Sequence, residues 1–307
     1  MSSFNTIINN NLKIIYSFKT YNDVVPALKS NRLHYIDTTN YTLKQYNIKS
    51  NEWIQNTIKN SLILPDIGFQ TIETSTNQIF VIGGKKGSQL LSNILELVEN
   101  KDSVFPRIVN NMTLPRMYHA VCLGQRHEIY ISGGELDSGS TNQCEKYIFS
   151  SREIKSLPLL NEKRQFHSII AHANYLFSIG GCCNESYVNT VEMLSISDQK
   201  KWFSIELIEG ESLKKVQLQY PCVLKYGVDS ILIMGGYMDE EKSECYVFTP
   251  GVEKLSRFGL ALRSRSQFIR YSACEYNSRV FINNKNEVII LDIKRKRWIN
   301  QDDIIMS

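Results

Sequence analysis

The sequence has no stretch approaching the ~20 consecutive apolar residues that a membrane-spanning helix needs. Its opening residues, Met1 to Asn11, are polar, so no leader is expected. The seven cysteines form no CxxC pair and no zinc-ligand spacing. They read as reduced thiols of a cytoplasmic protein, which makes the glycosylation triplets beginning at Asn40, Asn111 and Asn184 chance matches. HExxH and GxSxG patterns are absent, and nothing implies a metal or a cofactor. Charge of one sign is scarce as well: a net +4 over 307 residues argues against a nucleic-acid partner. No segment sustains a helical period of apolar residues. What is present is 42% hydrophobic residues with 16 Tyr and 13 Phe, a load that suits pleated, half-buried surfaces.

A repeat organises these residues. Gln78-Ile-Phe-Val-Ile-Gly-Gly84, Glu128-Ile-Tyr-Ile-Ser-Gly-Gly134, Tyr175-Leu-Phe-Ser-Ile-Gly-Gly181 and Ser230-Ile-Leu-Ile-Met-Gly-Gly236 are each an apolar run ended by two glycines. Their first glycines stand at 83, 133, 180 and 235. Arg279-Val-Phe-Ile-Asn-Asn284 continues the series with asparagine, the next most tolerant residue of a left-handed backbone. Upstream, Arg32-Leu-His-Tyr-Ile-Asp-Thr38 has lost the glycines, which brings the count of units to six. Each unit also carries an earlier apolar run, such as His119-Ala-Val-Cys-Leu123 or His167-Ser-Ile-Ile-Ala171. A Glu-x-apolar strand follows the glycines, at Glu96, Glu145, Glu192 and Glu244. A fourth run is entered by Trp53, Trp202 or Trp298, and Pro65, Pro115 and Pro158 mark crossings between units. Four short strands per unit with Gly, Asn, Asp and Ser between them fit one propeller blade.

These residues resemble the kelch repeat, whose hallmarks are the diglycine, a later Tyr, and a Trp about seven residues beyond it. Tyr46 and Trp53 keep that spacing; Leu291 and Trp298 keep it with the Tyr replaced, while Phe105, Ile154 and Leu255 depart from the Trp. The resemblance covers nearly the whole chain. It implies an all-β, six-bladed kelch-type β-propeller of four-stranded antiparallel blades. The blades fall near 20–60, 65–108, 115–158, 163–210, 215–258 and 265–300, in one domain. The run Leu12-Lys-Ile-Ile-Tyr-Ser-Phe18 is a candidate strand to close the ring within 1–19; alternatively the Trp298 strand completes the last blade.

Several tempting motifs have plainer readings. Gly83-Gly-Lys-Lys-Gly-Ser88 lacks the spacing of a phosphate loop, and no helix is expected after it. His119 and His167 hold equivalent repeat positions and read as structural. Cys182-Cys183 is a vicinal thiol pair with no thiolate-stabilising context. Lys294-Arg-Lys-Arg297 reads as a tight turn of solvated charge, although the chain from Gly251 onward is locally basic and would attract an acidic partner.

In related kelch propellers that bind peptides, residues just before the first strand and just after the diglycine face one end of the channel. The resemblance places Asp66, Arg116, Tyr118, Arg164, Phe166, Tyr220, Arg265 and Gln267 in the first group. Lys85, Glu135, Asp137, Asn184, Tyr237 and Asp239 fall in the second. Arginines and aromatic residues are the side chains that most often carry interface energy. The same arginines also fit a second reading, as scaffold residues bonding between blades. The expected function is a non-catalytic interaction module, a scaffold or adaptor subunit of a cytoskeletal or ciliary assembly, with a protein partner of acidic character. No membrane, nucleic-acid or small-molecule partner is expected. The alternative is a small-molecule enzyme at the channel mouth, of the sugar-isomerising or oxidising sort.

Overall fold

A computed structural model describes residues 5–9, 12–16, 32–101, 103–124, 127–210, 216–234, 245–252, 255–258, 273–276, 278–284 and 287–299. The described residues are all-β apart from one 3-10 turn, Ser61–Ile63. They hold no helix long and apolar enough to cross a membrane.

Among the described residues the strands fall into six consecutive units, the first two of them joined in one seven-stranded sheet. The first comprises Arg32–Asp37, Thr42–Asn47 and Glu52–Ile58. The second comprises Gln70–Glu73, Ile79–Ile82, Asn93–Asn100 and Ser103–Asn111. The third is Ala120–Leu123, Glu128–Ser132, Cys144–Ile148 and Glu153–Leu157. The fourth is Ser168–His172, Tyr175–Ile179, Thr190–Ser195 and Phe203–Glu206. The fifth is Cys222–Tyr226, Ser230–Met234, Cys245–Phe248 and Ser256–Arg257. The sixth is Ala273–Tyr276, Arg279–Asn284, Glu287–Asp292 and Arg297–Ile299. Units two to six each have four strands paired antiparallel in chain order. The first unit shows three, and its outer strand pairs in parallel with that of the second unit through Thr57 with Ser103 and Ile58 with Val104.

The apolar runs before the diglycines are continuous because both faces of the second strand are covered. Side chains alternate across a strand. Ile79 and Val81 therefore pack on the first unit, while Phe80 and Ile82 pack on the third. Likewise Ile231 and Ile233 turn to the fourth unit, and Leu232 and Met234 to the sixth. Every core cluster draws on two consecutive units, and one of them joins Leu33, Tyr46 and Ile48 to Phe281, Val288 and Ile290, so the last unit packs on the first. Each unit alone would be a marginal sheet; burial against both neighbours supplies the core.

The seven-residue Tyr-to-Trp spacing is a cross-strand pair of the third and fourth strands. Tyr46 lies opposite Trp53, Val98 opposite Phe105, Tyr147 opposite Ile154 and Leu291 opposite Trp298. Of the two ways to complete the last unit, the described strands show the one through Trp298. Leu12–Tyr16 pairs instead with Asn5–Asn9 as a two-stranded hairpin.

Candidate functional site

The first strands of units two to six lie beside one another around the axis. The short segments that lead into them therefore mark one end of the ring. Each segment bridges to the residue just after its own unit's diglycine: Ile67 to Lys85, Met117 to Glu135, and Gln165 to Cys182. At the same end, small hairpins project at Lys85–Lys86 with Gln89–Leu90, Glu135–Leu136 with Gly139–Ser140, and Cys182–Cys183 with Ser186–Tyr187. No helix follows Gly83-Gly84, as expected for a segment that is not a phosphate loop.

The glycines allow this crowding. The second glycine of each of the three described pairs donates its N–H to the next unit: Gly84 to Arg116 O, Gly134 to Arg164 O, and Gly181 to Leu218 O, at 2.6–2.9 Å. Gly134 has φ +110°, and a Cβ there would meet Met117 O at 2.8 Å. A β-carbon at Gly133 would collide with Arg164 O, so no other residue fits.

Arg116 and Arg164 are not at the surface, which corrects the expectation that they face a partner. They are 1% and 0% exposed. Arg116 is ion-paired to Glu145 and donates to Gln143 O at 3.2 Å. Arg164 pairs with Glu192 at 2.6 Å and donates to Gly180 O at 3.0 Å, Thr190 O at 3.2 Å and Thr190 Oγ1 at 2.9 Å. The carboxylates in turn hold the linkers between units. Glu145 accepts from the Thr113 N–H at 3.0 Å, and Glu192 from the N–H groups of Asn161 at 2.6 Å and Glu162 at 3.1 Å. The ion pairs and terminal-nitrogen hydrogen bonds make burial of the two guanidinium groups tolerable, although among the described residues the Nε of each has no partner.

The pairing also corrects the register of the Glu-x-apolar strand. Glu145 and Glu192 lie opposite Ile131 and Ser178, two residues before the first glycine. The residues at that place in the second and fifth units are Leu95, opposite Val81, and Tyr246, opposite Ile233. Glu96 stands one position further on and meets Arg107 and Gln78 at the surface instead.

His119 and His167 are buried against the first glycines of the preceding units, with ring carbons 2.8 and 2.6 Å from where a Cβ of Gly83 and Gly133 would stand. His167 Nε2 bonds Ser132 Oγ at 2.8 Å. Among the described residues neither nitrogen of His119 has a partner. Burial, with help from Arg116, pushes His119 down to about 3, and burial with Arg164 holds His167 well below the usual imidazole range. Both are neutral packing residues, as expected. Cys182 is buried and its thiol is pushed up, chiefly by burial, while Cys183 on the other side of the strand is half-buried. Lys294, Arg295, Lys296 and Arg297 form an exposed tight turn in which the Arg295 N–H donates to Asp292 Oδ1 at 2.9 Å.

Tyr118, Phe166 and Tyr220 are brought together. All three have left-handed backbones, with φ of 54°, 56° and 52°. Their N–H groups form an inter-unit ladder: Tyr118 to Gly68 O at 2.8 Å, Phe166 to Tyr118 O at 3.1 Å, and Tyr220 to Phe166 O at 2.7 Å. Phe166 stacks on both rings, with centroids 4.4 Å from Tyr118 and 4.5 Å from Tyr220. The three side chains are half-buried and form a row across the ring's end.

Asp66, also half-buried, is largely occupied. It accepts the Gly87 N–H at 2.9 Å and the Tyr41 hydroxyl at 3.4 Å, with Lys86 Nζ at 3.8 Å. Asn184 joins neighbouring hairpins, its N–H donating to Ser140 Oγ at 2.8 Å. Tyr237, Asp239, Arg265 and Gln267 lie outside the described residues. Sequence reasoning missed Glu145 and Glu192 as the arginines' partners, and Gln165, whose Oε1 is buried without a donor.

Stacked four-stranded sheets, joined by diglycine hydrogen bonds around an axis, define a propeller-type repeat protein. The chain matches the KLHDC2/KLHL20/DRC7 Kelch-repeats domain over residues 70–283, more than half of its length, and belongs to this kelch-repeat family. Among curated proteins none matches the chain. Kelch-repeat domains generally mediate protein–protein interaction and are typically non-catalytic.

Proposed function

We propose that the chain is a non-catalytic interaction module that holds a protein partner on the end of the ring bearing Tyr118, Phe166 and Tyr220. It would serve as a scaffold or adaptor subunit of a cytoplasmic assembly, of the cytoskeletal or ciliary sort. One observation carries the reading. A bulky residue in the left-handed region costs about 1–2 kcal/mol of backbone energy. The second unit uses Gly68 at this position, with φ 71° and without that cost. Three units nevertheless keep an aromatic ring there, half-exposed. Residues that strain the backbone where glycine would serve are retained for what the side chain does. Rigid aromatic area on a fixed backbone is what an interface anchor requires.

The test is capture of partners from native cells by the tagged chain and by the double variant Tyr118→Gly/Phe166→Gly. The variant should melt close to the parent and lose its stoichiometric partner. Retention of that partner by a folded variant would rule out this end of the ring.

A further inference from the structure

Arg116 and Arg164, which the resemblance placed at this end, are internal and neutralised by Glu145 and Glu192. The charge left around the aromatic row in the third and fourth units has the opposite sign. Asp137 and Glu185 are exposed on the two hairpins, and among the described residues neither has an ion-pair partner. Glu135 stands at the base of the third unit's hairpin; partial burial pushes its carboxyl up, and Lys85 is the cation acting on it. Lys86 is committed elsewhere, to Leu64 O at 2.8 Å, Ser61 O at 3.3 Å and Asp66. Lys163, in the linker ahead of Arg164, is the exposed cation nearest in sequence to the row.

Guanidinium and ammonium groups supply donors, positive charge and affinity for aromatic rings together. We infer that this face takes a cationic segment of its protein partner: Arg or Lys side chains laid on Tyr118, Phe166 and Tyr220, with Glu135, Asp137 and Glu185 as counter-charges. The inference rests on the reading of this face as the partner surface.

The test is fluorescence anisotropy of labelled arginine and glutamate homopeptides with the full chain, at low and moderate salt. Two variants are compared, Glu135→Gln/Asp137→Asn/Glu185→Gln and Tyr118→Gly/Phe166→Gly, each first checked by its melt. The carboxylate changes lie on hairpins and leave the core intact. The arginine peptide should bind, weaken with salt, and lose roughly tenfold or more in either variant, as expected when a few charge and cation–π contacts are removed. Binding of the arginine peptide that is absent, or unchanged in both variants, overturns the inference. So does a glutamate peptide that binds this face more tightly. Partner capture separates the two readings. A native partner lost from the aromatic variant but kept by the carboxylate variant leaves the face as the partner surface and refutes its cationic preference. A partner kept by both variants refutes both.

Discussion

The junction that leads into the third and fourth units is ionic, and the equivalent junction into the fifth is apolar. In the fourth unit Arg164 and Glu192 grip the linker by hydrogen bonds. In the fifth, Leu218 and Tyr246 occupy the same two places within a hydrophobic cluster that includes Val216. In the second, Leu95 packs with Leu64 and Phe69, and Asp66, in the arginine's place, turns instead to Gly87, Tyr41 and Lys86. One chain thus solves the same geometrical problem twice. Arginine and glutamate occur together or not at all among these four units, because either alone would leave a buried charge unpaired.

The largest predicted effect follows from that pairing. Arg164→Ala or Glu192→Ala should each destabilise by about 3–5 kcal/mol, read by urea denaturation, since each strands the other charge in the interior. The double change Arg164→Leu/Glu192→Tyr, which copies the fifth unit, should cost less than either single change. It does not restore full stability, because the Asn161 and Glu162 N–H groups lose their acceptor. A double cost equal to the sum of the two singles would show that the pair does not act as a unit.

The same junction separates what is legible in the sequence from what is not. The diglycine strands are legible because a continuous apolar run ended by two glycines suits a strand covered on both faces and little else, and Ile79–Ile82 and Ser230–Met234 are buried along their whole length. Tyr118, Phe166 and Tyr220 are legible as a group by their place in the repeat. The fate of Arg116 and Arg164 is not. Their carboxylates lie 29 and 28 residues further along the chain. They become partners only when the third strand takes one register. A one-residue slip turns every side chain to the other face, which is why Glu96 looks equivalent to Glu145 while Leu95 occupies the place. Charge alone does not distinguish an arginine that meets a partner from one that meets its own chain.

Acid should sharpen the comparison next. His119 and His167 sit only in the two ionic units; Phe69 and Pro221 stand one residue beyond Gly68 and Tyr220, as the histidines do beyond Tyr118 and Phe166. Both imidazoles are neutral in the folded chain, with pKa values below that of the unfolded chain, so the unfolded state binds more protons in acid. Their contribution is complete above the unfolded value near 6.5 and is lost as pH falls toward the folded values, by about 1.4 kcal/mol per pH unit for each histidine. His119→Phe, copying the second unit, should remove about one proton's worth of that slope between neutral pH and pH near 4.5. It should also leave stability at neutral pH equal or higher, because His119 has no hydrogen-bond partner to lose, whereas His167→Phe breaks a bond to Ser132. Parallel pH profiles for parent and variant would mean that the imidazole is not kept neutral by its burial.

The smallest predicted change in stability is at the aromatic row, and its smallness is the point. Phe166→Gly removes two stacking contacts, worth about 0.5–1.5 kcal/mol each. It also relieves a left-handed phenylalanine, worth about 1–2 kcal/mol. The two terms nearly cancel, and the inter-unit ladder is kept because the Phe166 N–H and C=O remain. Gly68 makes the same rung with no side chain at all, accepting from Tyr118 at 2.8 Å. A melt within about 1 kcal/mol of the parent, set beside the several lost at Arg164, would divide this end of the ring into scaffold and display. A loss at Phe166 as large as that at Arg164 would make the row a structural rivet, and its strained backbone would no longer point to a partner.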